Sequence, residues 1–138
     1  MTEAFSHMNW LAVLVATAAH FGLGGVWYMV LFPKQYRASL GKGDQPAQPP
    51  GALFIVGPLV CSALNIATTA FLLRALGITT YGDALLLGVL VGIGYLVPMT
   101  VNIAINPNFP RPFYYSLIGG PMFALGSLMS AAIIVAMS

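Results

Sequence analysis

Four side chains stand out for the chemistry they offer: His20, Asn65, Tyr95 and Ser127, each near the middle of a long stretch without fixed charge. Histidine gains and loses its proton near neutral pH, so His20 is the natural centre of a proton-accepting or ligand-touching site. Asn65 both donates and accepts hydrogen bonds. Its matching position along its own stretch makes it the expected partner of His20, with Tyr95 and Ser127 completing one polar centre. The plainer reading of the same residues is a neutral hydrogen bond between helices, worth about 0.6 kcal/mol. A lone histidine without a carboxylate makes a poor proton relay, which favours that plainer reading. Asn102, farther from the middle, reads as a packing or helix-end hydrogen bonder.

Other chemistries lack their parts. Cys61 is the single cysteine, so neither an intrachain disulfide nor a thiolate cluster is available. His7 and His20 have no metal-ligand spacing and no carboxylate companion within a span. A dyad of His20 with Ser62 or Ser127 has no recognisable oxyanion hole beside it. The chain contains no glycine-rich phosphate loop, paired carboxylate or basic stripe. The expectation is therefore a protein without catalytic residues, cofactor or metal, and without a nucleic-acid partner.

The elements that must position these residues follow from charge. Only 6% of the 138 residues are charged and 59% are hydrophobic, against about 25% charged in an ordinary soluble domain. So few charges cannot cover a soluble surface, and so much apolar content cannot stay disordered. The uncharged intervals run over 4–33, 45–73, 84–110 and 112–138. Each holds an apolar run longer than the roughly 20 residues a bilayer core requires. Runs such as Leu85-Leu86-Leu87-Gly88-Val89 lack the alternation of a barrel strand. The fold class is an all-α integral membrane protein, a compact bundle of four transmembrane helices at about 9–32, 52–73, 84–105 and 113–137. The first of these is read as a retained helix, since Glu3 precedes it, no basic residue does, and its apolar run exceeds that of a signal peptide.

Basic residues set the orientation. Lys34, Arg37 and Lys42 fall in the first loop, Arg111 in the third, and only Arg74 borders the second. Loops one and three are then cytoplasmic and both termini lie on the non-cytoplasmic side, in the cell membrane, by expectation a bacterial inner membrane. Trp10, Trp27, Tyr28, Tyr114 and Tyr115 are the expected interfacial anchors. The loop over 33–51 is read as a mobile cytoplasmic linker, because its Gly41–Pro50 stretch cannot be helical.

Small residues occur where helices approach. Gly88 and Gly92 have the spacing that lets two backbones come close, and Gly24, Gly25, Gly120 and Gly126 are the other candidate contacts. Pro58, Pro98 and Pro121 interrupt the last three spans and are expected to bend them. Such faces pack within the chain or against other membrane helices, in a homo-oligomer or a larger membrane complex.

Met8-Asn9-Trp10-Leu11-Ala12 and Gly24-Gly25-Val26-Trp27-Tyr28, with the glycine-rich third span, Asn102 and Phe109, resemble the family called domain of unknown function 1761. The resemblance touches most of the chain and implies a small multi-helix membrane protein, without supplying an activity. Met29-Val30 stand where the family pattern has Ser-Pro. Together these readings favour a non-enzymatic accessory or oligomer-forming subunit. The alternative is a small transporter or channel with a midplane site near His20 and Asn65.

Overall fold

A computed structural model describes residues 2–138. Four helices are long and apolar enough to cross a membrane: Trp10–Leu31, Leu53–Ala75, Tyr81–Ala104 and Pro112–Ala136. No strand occurs among the described residues, as expected where backbone polar groups have no water and must bond along their own helix. The largest departure from the expected ends is at the third span, which starts at Tyr81 rather than Ala84. Thr80 explains that start. Its hydroxyl oxygen accepts from the Asp83 N–H at 3.2 Å, while its hydroxyl donates to the Asp83 carboxylate at 2.8 Å.

Two short helices add to the spans, Thr2–Ser6 and Pro33–Ser39. The second occupies the beginning of the loop read as a linker. Pro33 stands in its first turn, where a missing N–H costs nothing. The following stretch, 40–52, has no helix.

The fourth span is the centre of the bundle. Of its apolar window 56% is buried, against 22% in each of the other three. The first span runs antiparallel to it in strict register. The Asn9 amide donates to the Met137 carbonyl at 2.6 Å, His20 lies on Gly126, Gly24 faces Met122, and the Trp27 indole N–H donates to the Ile118 carbonyl at 2.9 Å. Numbers rise along one helix as they fall along the other, so both ends of the chain meet at one end of the bundle. Between the fixed points Ala12 and Ala16 are fully buried. The second span attaches through Ile66, Ala70 and Leu73, which join Val13, Ala16, Ala84, Ala131 and Ile134 in the apolar core.

Two of the prolines have a visible structural consequence. Trp27–Leu31 and Gly92–Leu96 are π-helical, and each segment ends two residues before a proline, Pro33 and Pro98. A proline ring collides with the carbonyl four residues back. A widened turn shifts that carbonyl and bonds the residue before the proline five back instead, as in Phe32 N–H to Trp27 O at 2.9 Å.

Candidate functional site

His20 sits in the interior at 4% exposure. Its ring rests on Gly126 so closely that a Cβ added there would lie 2.5 Å from Cε1 and 2.7 Å from Nδ1. Ser127 and Ser130, on the same stretch of the fourth span, are 5% and 2% exposed. Residues 126, 127 and 130 form one patch of a helix surface, because positions three and four apart are neighbours.

The hydroxyls of this patch differ from others in the spans. Thr17, Thr69, Thr100 and Ser116 each donate to the carbonyl four residues back, at 2.7 to 2.9 Å, the usual way a hydroxyl is satisfied inside a membrane helix. Ser127 Oγ, Ser130 Oγ and His20 Nδ1 are buried without a hydrogen-bond partner among the described residues. An imidazole and two hydroxyls can hold a small polar molecule or pass a proton. Among the described residues no three of His, Cys, Asp and Glu are grouped to hold a metal ion.

The four residues expected in one centre divide into two pairs. His20 and Ser127 are interior, whereas Asn65 and Tyr95 lie on the outside. Helical phase accounts for Asn65. The second span buries Ile66, Thr69, Ala70 and Leu73, a stripe at spacings of three and four, and Asn65 stands one position off it, about 100° around the helix. The π-turn accounts for Tyr95. After Gly88 and Gly92 an ordinary helix would next bring residues 95 and 96 to the fourth span, but the added residue passes that place to Val97, which touches Gly120. Tyr95 is left 74% exposed.

The six candidate packing glycines also separate. A Cβ on Gly92 would meet the Ala124 Cα at 3.0 Å, and one on Gly88 the Leu128 Cα at 3.1 Å. Gly126 carries His20. Gly24 faces only the flexible tip of Met122, Gly120 is in ordinary contact with Val97, and Gly25 has nothing near it.

At the end of the bundle away from the termini, the Tyr36 ring packs tilted against Tyr28 with centroids 4.7 Å apart and lies 6.0 Å from Tyr115, while Phe109 meets Tyr115 edge-on at 4.8 Å. The Tyr36 phenol is pushed up to about 12 by burial, with Tyr115 adding to the shift. Trp27, Tyr28 and Tyr115 are thus half-buried joints between the first span, the Pro33–Ser39 helix and the fourth span. Trp10, by contrast, is 47% exposed with its ring against Phe5. Tyr114 borders an apolar hollow with Trp27, Phe32, Gln35 and Leu117.

The place of Ser130 in the polar patch and the seat of His20 on Gly126 escaped the sequence reading. The register that reveals them can be counted from Asn9 and Met137, once those two are known to pair.

No curated protein and no solved structure matches the chain. The family model described as protein of unknown function DUF1761 matches residues 11–136, which takes in the interior histidine and the glycine contacts. A chain matched over nearly its whole length, four spans included, belongs to the DUF1761 family.

Proposed function

We propose that this multi-pass membrane protein acts without catalysis, as an accessory or oligomer-forming subunit that packs against other membrane helices. One observation carries the reading: the middle of the bundle is closed by backbone-close contacts. Gly126 lies under the His20 ring, and Gly88 and Gly92 lie against the backbone of the fourth span. A polar path across a bilayer needs lining groups along its length, whereas such contacts favour a rigid unit whose outer faces do the work. The lipid bilayer and neighbouring helices are its partners, in the cell membrane and by this reading a bacterial inner membrane.

The same proposal puts both termini on the non-cytoplasmic side, since Lys34, Arg37, Lys42 and Arg111 all lie at the other end. A reporter fused after Ser138 is expected to be accessible from outside the cytoplasm; a cytoplasmic signal would reverse the orientation.

A second reading, a small transporter using the interior polar patch, is favoured by the three unpartnered atoms of His20, Ser127 and Ser130. Vesicles loaded with a pH-sensitive dye separate the two. The assembly reading expects the protein to pass no more protons than empty vesicles do. A proton flux that His20→Ala reduces would put the transporter in its place.

A further inference from the structure

The second span is attached to the bundle by one half only. Its buried residues are Ile66, Thr69, Ala70 and Leu73, and from Leu53 to Asn65 no position is buried. Apolar side chains on that free half need only lipid. Asn65 needs more. It lies twelve residues after Leu53 and ten before Ala75, at the middle of a helix of membrane-crossing length, and its side chain is exposed on the outside of the bundle. Thr68, one turn on and also exposed, settles its hydroxyl on the Leu64 carbonyl at 2.9 Å. The Asn65 amide makes no side-chain hydrogen bond among the described residues, and an unsatisfied amide in hydrocarbon costs several kcal/mol.

We propose that this face, Gly57, Cys61, Asn65 and Thr68, is the contact between two copies of the chain, closed by reciprocal hydrogen bonds between their Asn65 amides. The occupant follows from the chemistry of the amide. It donates and accepts, so it is complementary to itself. Two copies inserted in one orientation and related by a twofold axis along the membrane normal place each Asn65 at the same depth. A different partner would have to offer both a donor and an acceptor at that level. The neighbouring positions suit close approach: Cys61 is exposed one turn earlier, and a Cβ on Gly57 would meet nothing within 4 Å. Intrachain packing therefore makes no use of that glycine, while a helix pair in a membrane does.

The proposal rests on the assembly reading above and names its partner and surface. Cys61 is the only cysteine in the chain and lies on the proposed contact, so oxidation in the native membrane reports on it directly. Cross-linking of the full chain with a membrane-permeant oxidant should give a band at twice the mass of the 14.6 kDa chain. Asn65→Leu, which suits lipid and leaves the buried stripe intact, should weaken dimerisation about threefold for each hydrogen bond lost. Asn65→Gln, which keeps an amide, should retain most of it. An assembly heavier than one chain, with no Cys61 cross-link and no response to Asn65→Leu, would overturn this face and leave the assembly reading standing. A Cys61 cross-link to a different protein would overturn the second copy as its occupant. A lone chain under all conditions would overturn both.

Discussion

Replacing Gly126 by leucine is expected to destabilise the fold by about 3 kcal/mol or more, beyond the usual range for a single added side chain in a packed interior. Even the first carbon has no room, at 2.5 Å and 2.7 Å from atoms of the His20 ring. The ring in turn is 4% exposed and cannot swing into open space. Gly126→Ala separates two opposing effects. Alanine is the better helix former by about 1 kcal/mol, and overpacking costs about 1 to 3 kcal/mol, so a net loss of up to about 2 kcal/mol is expected. Unfolding in mixed micelles measures it. Because the clash is with one side chain, Gly126→Ala combined with His20→Ala should recover much of the loss, with a coupling of about 0.5 to 3 kcal/mol. Strict additivity of the two single losses would show that the ring does not rest on Gly126.

Valine at Gly88 and Gly92 together is expected to separate the third span from the fourth. The neighbours here are backbone atoms, Leu128 Cα at 3.1 Å and Ala124 Cα at 3.0 Å from the added carbons, and backbone yields only if a whole helix moves. Each site should cost about 1 to 3 kcal/mol, and both act on one interface. Gly22 and Gly25, where an added Cβ meets nothing within 4 Å, supply the contrast. Alanine there should be neutral or slightly stabilising, and the same unfolding measurement distinguishes the two groups. Equal losses at all four positions would mean that close approach to the fourth span is not what the glycines at 88 and 92 supply.

The spans were legible because charge is so scarce. Lys34, Asp44 and Arg111 fall between the spans and Arg74 and Asp83 in the end turns of theirs, because each is expensive in hydrocarbon, and their positions mark the gaps. Depth was also readable, since His20 and Asn65 do lie mid-helix. Phase was not. Which side of the second span faces inward is decided by Ile66, Ala70 and Leu73 meeting the core, and a helix apolar nearly all round gives no amphipathic stripe to show it. Tyr95 was hidden for another reason: the π-turn at Gly92–Leu96 inserts a residue into a periodicity that counting assumes unbroken. The contact of His20 with Gly126 joins residues far apart in the chain, and it becomes countable only through the antiparallel pairing that Asn9 and Met137 begin.

The central claim is that the protein does its work by packing against other membrane helices. Its most direct test is the mass of the particle taken from the native membrane in polymer-bounded lipid discs, without detergent. The account predicts an assembly heavier than the 14.6 kDa chain by at least one further polypeptide. A uniform population of single chains would contradict it.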